Sequence, residues 1–341
     1  MARIIFHVGM GKTGTTTIQA ALAKSADALT ETGHHYFGQW LGEIGPEFDQ
    51  FDGFQRFLQQ SPEQLQRHAE TLLAAIDRIE AATGAQTFIL SNEQYLENLT
   101  RLADFFRVIA SKASLWVVIF VRSPEQWLPS AYVQWGVVHK TNPGPVRSFA
   151  TKARELMRQY EYVRQWKEML GTAVTIRAHD DKSDVLQEFA STIGLSLRLD
   201  QNRRQMRPSV SETILRAACN STLSETVLPE VYNTIRAKYM PAGVPVHLSQ
   251  KISHIFDWSG IPEILAEHRE IVSFIEHETG IDVGQNMPVP PAYDAAQLSD
   301  ELLGAMISIV SGQAHEIRDL RTSVDMLKRE LSDLRTELAA K

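Results

Sequence analysis

Gly9-Met10-Gly11-Lys12-Thr13-Gly14-Thr15-Thr16-Thr17 stands between a short apolar run, Ile4-Ile5-Phe6-His7-Val8, and a helix-forming one, Ile18-Gln19-Ala20-Ala21-Leu22. A buried strand, a glycine-rich turn and a helix in that order make an anion cradle. Glycines and small hydroxyls let backbone N–H groups approach a ligand closely, and the helix adds its unpaired first-turn donors and its dipole. Lys12 adds a point charge. The stretch therefore predicts a site for a phosphate or an isosteric sulfate, with an anionic nucleotide as the natural ligand. It does not spell the nucleotide triphosphatase loop G-x-x-x-x-G-K-[ST], which requires glycine where Phe6 stands. A second glycine, Gly14, follows the lysine by two instead.

Working outward, the same alternation continues. Phe88 to Leu90, Leu115 to Val121 and Val174 to Ile176 read as further buried strands, separated by longer amphipathic stretches, and this predicts an α/β fold on a parallel sheet. Ser61-Pro62-Glu63-Gln64 supplies a cap, a first-turn proline and a third-position glutamine for a helix that Gly84 can close. Ser123-Pro124 opens another helix directly after a strand. Val146 to Met169, Lys182 to Ile193 and Ser209 to Asn220 carry helical periodicity, and residues 222–285 read as further helices.

The whole chain fits this picture. Of its 341 residues 43% are hydrophobic, enough for a sizeable core, which excludes disorder as the main state. With 34 basic and 41 acidic residues the formal charge is -7, which excludes a general nucleic-acid or anionic-membrane binder, so any anion site is local. A lone cysteine, Cys219, makes neither an internal disulfide nor a thiolate zinc cage and fits a reducing compartment. No run approaches the roughly 18 apolar residues that span a bilayer, and no signal peptide opens the chain, so a cytoplasmic protein is expected. Asn98-Leu99-Thr100 and Asn220-Ser221-Thr222 match the glycosylation pattern by chance in that setting.

Past Pro288-Val289-Pro290-Pro291, where prolines force an extended linker, the character changes. Leu303, Val310, Ile317, Val324, Leu331 and Leu338 recur every seven residues, and Met306, Gln313, Leu320, Leu327 and Leu334 follow three behind. This is an a/d heptad pattern whose Ile, Val and Leu at a and Leu at d favour a parallel two-stranded coil. With Ile317 at a, Glu316 and Glu330 at g can meet Arg321 and Arg335 at e of a partner. The competing expectation is one amphipathic helix folded onto its own domain. The domain organisation expected is an α/β domain over 1–285, a Pro-rich linker over 286–297 and a coiled coil over 298–341, with a homodimer formed through the coil.

A second constellation supports the first. The strand Leu115 to Val121 ends in Arg122, and Ser130 stands eight residues on, on the next helix. An arginine at the carboxyl end of a parallel strand faces the ligand crevice, and a serine two turns into the following helix can join it on one phosphate. Lys12-Thr13-Gly14-Thr15-Thr16 together with Arg122 and Ser130 resembles the sulfotransferases that use 3′-phosphoadenosine 5′-phosphosulfate (PAPS), whose loop has the form Lys-(Thr/Ser)-Gly-Thr-Thr. Phe88 to Glu93 is similar to the acid-bearing strand of their carbohydrate-acting and microbial branch. Tyr160 to Trp166 with Val174 to Arg177 resembles a later helix and strand, and Arg207-Pro208-Ser209 resembles the nucleotide-covering segment, although the family often has asparagine where Arg207 stands. The resemblance covers residues 3–221.

It implies a three-layer P-loop-like fold. Gly11, Lys12, Thr13, Gly14, Thr15, Thr16 and Thr17 would hold the 5′-phosphosulfate, and Arg122 and Ser130 the 3′-phosphate. Arg207 and Ser209 would add nucleotide contacts. Glu93 would be the base that takes the acceptor hydroxyl's proton, with His34, His35 or His139 as fallbacks, and Lys12 would neutralise charge on the bridging oxygen. The cofactor would be PAPS, the product 3′-phosphoadenosine 5′-phosphate (PAP), and the acceptor a hydroxyl of a small molecule, carbohydrate or glycoconjugate. The two long apolar strands end in Ser91-Asn92-Glu93 and Arg122 and supply no magnesium-holding acid of the triphosphatase kind, so no metal is expected to be required. A nucleotide-dependent kinase using the same cradle, or a scaffold with a vestigial loop, are the alternatives. His7 reads as a core histidine or a catalytic one. Trp40, Trp127 and Trp135 read as core or as flat faces for a sugar, and His139-Lys140 as an acceptor contact or a solvated loop.

Overall fold

The computed structural model describes residues 2–179, 184–195, 210–221, 223–230, 232, 255–289 and 294–339. Five strands, β1 (Arg3–His7), β2 (His34–Gly38), β3 (Thr87–Ser91), β4 (Ser114–Val121) and β5 (Val174–Ala178), form one sheet in the order β2-β3-β1-β4-β5, every pairing parallel. The four apolar runs became β1, β3, β4 and β5. β2 is an edge strand whose five residues are all half-buried, so it carries no continuous apolar run and shows itself only as Gly33 followed by His34-His35-Tyr36.

Alternate residues of the central strands face opposite layers. Ile5, Ile89, Val118 and Phe120 pack on one face against Ile18 and Leu22 of α1 (Thr15–Lys24), Leu29 of α2 (Ala26–Glu31) and Phe189 and Ile193 of α9 (Val185–Ile193). The other face is aromatic. Phe6 meets Phe105 and Phe106 of α5 (Leu99–Lys112) edge-on, Phe57 of α3 (Gln50–Phe57) meets Phe105, and Phe106 meets Trp166 of α8 (Arg158–Leu170) at 4.8 Å. Each such buried ring contributes about 1.5–3 kcal/mol through burial. Edge-to-face geometry adds about 0.5–1.5 kcal/mol per pair.

Local signals act where expected. Helix α4 (Pro62–Thr83) opens on a complete capping box, Gln64 N donating to Ser61 Oγ and Ser61 N to Gln64 Oε1, and ends at Gly84 with φ 74°. The helical stretch beginning at Val146 is two helices rather than one, α7 (Phe149–Leu156) and α8. The ladder tightens at the junction, where Tyr160 N bonds Met157 O at 3.1 Å, a three-residue step that no side-chain pattern announces. Helix α6 (Pro124–Tyr132) carries Pro129 inside it and runs into a π-helical turn, Val133–Val138. The remaining described helices are α10 (Val210–Ser221), α11 (Ile261–Glu267), α12 (Arg269–Thr279) and α13 (Ala295–Ala339).

The described residues fall into two compact units, one drawn from Met1–Ala131, Ala153–Met206 and Ser259–Pro288, the other from Tyr132–Lys152, Arg207–Trp258 and Val289–Lys341. The first holds the sheet. Within the second, Leu298 and Leu302 at the start of α13 are buried and α13 packs on α10. Leu303, Met306, Ile317, Leu320, Val324, Leu327 and Leu331 of the same helix are all exposed, between 43% and 64%. Lys140, in this unit, is neither solvated nor available to an acceptor: it is fully buried, and its ammonium donates to Gly144 O at 2.5 Å and Leu223 O at 2.6 Å. Among the described residues no helix is long and apolar enough to cross a membrane.

Candidate functional site

In the sheet order β1 lies between β3 and β4, with His7 opposite both Ser91 and Val118. The chain leaves β1 toward β2 on one side and β4 toward β5 on the other. This is a topological switch point, and the crevice outside the carboxyl ends of its strands is where such sheets bind ligands. Three connections open there: the loop from Val8 to Gly14, the Asn92-Glu93 step and the Arg122-Ser123 step.

The loop is built to present N–H groups. Val8 N is tied to Val118 O at 2.9 Å, and three successive carbonyls then accept from side chains: Met10 O from Thr13 Oγ1 at 2.6 Å, Gly11 O from Trp127 Nε1 at 2.8 Å and Lys12 O from Arg122 Nη1 at 3.4 Å. Every peptide among the described residues is trans, so a carbonyl turned into the protein turns the following N–H away from it. Among the described residues the N–H groups of Gly11, Thr13, Gly14, Thr15 and Thr16 have no backbone acceptor. Gly14 caps α1 without a side-chain bond. Lys12 sits at φ 69°, an uncommon conformation for a residue with a side chain. Gly14 has φ +88° and would place a Cβ 2.8 Å from Val185, so only glycine fits there. Thr16 and Thr17 are exposed, whereas Thr13 and Thr15 are buried.

Glu93 opens a 3-10 turn, Glu93–Asn98, just past β3. The cap of that turn is Asn92, whose Oδ1 accepts from Gln94 N at 2.9 Å, so Glu93 has no capping duty. The half-buried Glu93 carboxylate instead accepts from Gln19 Nε2 at 3.3 Å, and the same amide donates to Ser91 O at 3.0 Å. Gln19 lies one turn into α1, so the helix that begins at the cradle also holds the acid.

Arg122 is buried at the end of β4, and its carbonyl accepts from the Tyr160 hydroxyl at 2.8 Å. Tyr160 is fully buried, and burial first, then the Glu125 charge, keeps its hydroxyl protonated. Its ring meets Trp127 edge-on at 5.4 Å. Ser130 is half-buried on α6. Arg207 and Ser209 lie outside the described residues.

The histidines separate clearly. His7 is fully buried, its Nδ1 2.7 Å from Ser91 Oγ, and burial lowers its pKa to about 3, so it is a neutral core group bonded to a side-chain hydroxyl rather than to backbone. His34 and His35 start β2 opposite Thr87 and Phe88, at the amino-terminal edge of the sheet. At about 3.3 Å per residue that is roughly 10–13 Å from the strand ends, too far to serve as the base there. His139 belongs to the second unit. Trp127 is core and bonds the loop. Trp40 is half-buried against Phe51 and Phe54. Among the described residues no group of three or more His, Cys, Asp or Glu side chains could hold a metal ion.

The sequence alone did not reveal Gln19 or Tyr160 as site residues, and it offered Trp127 as core or as a flat face for a sugar rather than as a bond to the loop. The one available signal was position: Gln19 and Trp127 each stand in the opening turns of a helix that starts at the strand-end crevice.

Compared with known families, residues 4–194 match the model described as the sulfotransferase domain. No curated protein matches the chain.

Proposed function

With its match running over residues 4–194, the chain belongs to the sulfotransferase family and transfers sulfuryl groups, and from that premise we propose that its donor is PAPS and its acceptor a carbohydrate or glycoconjugate hydroxyl. The observation that carries the donor assignment is the turn from Gly11 to Thr16, where three carbonyls are clamped by side chains, the N–H groups of Gly11, Thr13, Gly14, Thr15 and Thr16 have no backbone acceptor among the described residues, and Lys12 and Arg122 flank the loop. That arrangement fits a phosphosulfate on the loop and a second phosphate at Arg122 and Ser130. Thr16 and Thr17 add exposed hydroxyls, while Thr13 and Thr15 contribute backbone donors. Arg207 and Ser209 complete the nucleotide contacts in this assignment.

PAPS supplies a sulfuryl group already activated by its phosphate leaving group. The rest of the chemistry belongs to the chain. Glu93, held by Gln19 and relieved of capping by Asn92, takes the acceptor hydroxyl's proton on its carboxylate. Lys12 places its positive charge where negative charge develops on the departing oxygen, and the preorganised loop N–H groups share that charge. Neither role calls for a metal.

The exposed a/d stripe of α13 supports a homodimer through a parallel coiled coil, with Leu298 and Leu302 anchoring the helix start on α10. In this scheme residues 1–285 are the catalytic domain, 286–297 the linker and 298–341 the coil. The single cysteine is consistent with the cytoplasm. The test is transfer of labelled sulfuryl from PAPS to a panel of mono- and oligosaccharides, with ATP and magnesium as the competing donor system. Transfer from PAPS to a sugar hydroxyl supports the proposal; phosphoryl transfer from ATP, or sulfation of non-sugar acceptors alone, rejects it.

A further inference from the structure

Trp127 is a fully buried tryptophan whose Nε1–H donates to Gly11 O of the donor loop at 2.8 Å. The other two clamps differ in kind. Thr13 acts from within the loop on Met10 O, and Arg122 reaches Lys12 O at the longer 3.4 Å while also facing the crevice. Trp127 is thus the external, rigid and desolvated clamp. It holds the middle peptide, Gly11 to Lys12, next to the residue that bears the unusual φ of 69°. Its ring is braced edge-on by Tyr160, and the Tyr160 hydroxyl binds Arg122 O, so one buried pair fixes both the loop and the strand-end arginine.

We propose that Trp127 is a positioning residue for the nucleotide donor: its indole N–H holds the Gly11–Lys12 peptide with its carbonyl inward and so fixes the shape of the loop that meets the anion. The inference rests on the donor assignment above. A hydrogen bond in a dry setting is worth most where its loss leaves a carbonyl unsatisfied, and here the freed carbonyl would rotate toward the ligand and repel it. The effect falls on donor binding, not on protein stability alone.

The test uses the full chain and PAP as the probe. Trp127→Phe keeps an aromatic ring against Tyr160 and removes the N–H. Trp166→Phe is the matched control, because Trp166 is equally buried and its Nε1 donates to Leu96 O at 3.0 Å, away from the loop. By calorimetric titration Trp127→Phe weakens PAP binding by about tenfold and raises the KM for PAPS more than it lowers kcat, while Trp166→Phe leaves PAP affinity within about twofold of wild type. If Trp127→Phe does not fold, benzothienylalanine at position 127 keeps the ring shape, lacks the N–H and is expected to give the same loss. Unchanged PAP affinity in the folded Trp127 variant, or equal weakening in the Trp166 control, overturns the clamp alone. A wild-type protein that does not bind PAP overturns the donor assignment and the clamp with it.

Discussion

Replacing Lys12 separates charge from loop geometry, because the backbone at this position is itself unusual. Its φ is 69°, and its carbonyl accepts from Arg122 whatever the side chain. Lys12→Ala deletes the ammonium and keeps a Cβ, so the left-handed backbone costs what it costs in the wild type and the fold is unchanged. Lys12→Gly deletes the ammonium and removes that cost, about 1–2 kcal/mol for a residue with a Cβ. Glycine's greater freedom in the unfolded chain returns about 0.5–1 kcal/mol of it, leaving Lys12→Gly more stable than Lys12→Ala by about 0.5–1 kcal/mol. For catalysis the two variants are equivalent. Loss of one preorganised charge facing the departing oxygen lowers kcat by about 10²–10³. Paired denaturant melts and initial rates with saturating PAPS give both quantities. The reasoning is refuted if Lys12→Ala retains kcat within about tenfold of wild type at unchanged stability, or if Lys12→Gly restores the rate.

Three other outcomes follow from the same geometry. Gln19→Leu frees the Glu93 carboxylate and lowers kcat by about tenfold with the PAPS KM unchanged, and Glu93→Gln lowers it by about a hundredfold or more; steady-state rates decide, and an unaffected Glu93→Gln removes it as the base. His7, with a pKa of about 3 in the fold against 6.5 unfolded, binds its proton only in the unfolded chain between those values. Stability is therefore complete above about pH 6.5 and falls by up to about 1.4 kcal/mol per unit as pH drops toward 3; urea melts of wild type and His7→Leu across pH 4–7 should differ in slope, and parallel curves would show that His7 does not titrate this way. Asp at both Val324 and Leu327 places charge in the exposed heptad seam, so light scattering should change from dimer to monomer with PAP affinity intact, and a wild type that is monomeric at micromolar concentration would rule out the coil.

What the sequence disclosed follows burial. The interior strands β1, β3 and β4 are buried and so appear as apolar runs, and at one edge β5 still buries Val174 and Ile176, whereas β2 at the other edge is half-buried throughout and lacks such a run. Ser61 and Gln64 declare a helix start because a capping box is made by residues three apart, but the step at Met157 is a backbone event inside an unbroken amphipathic pattern. At the site, Lys12, Gly14, Glu93 and Arg122 stood out through local spacing and resemblance. Trp127, Tyr160 and Gln19 act through partners far along the chain, Gln19 on Glu93 and Trp127 on Gly11, and no local pattern encodes such pairs. Lys140 shows the reverse error. A lysine beside a Pro-Gly loop reads as exposed, yet the Gly144 carbonyl of that loop and the Leu223 carbonyl from a distant segment of its own unit hold it in the interior.

The most direct test of the central claim, that the loop after β1 is a PAPS site, is thermal unfolding of the wild type with PAP, with ADP, and with ATP plus magnesium. A ligand at 100 times its Kd stabilises the folded state by about 2.7 kcal/mol, a shift of several degrees in Tm. The account predicts that PAP raises Tm, that ADP does so less for want of a 3′-phosphate to meet Arg122, and that ATP with magnesium adds nothing beyond ADP. Stabilisation by ATP with magnesium alone, or by none of the three, would contradict it.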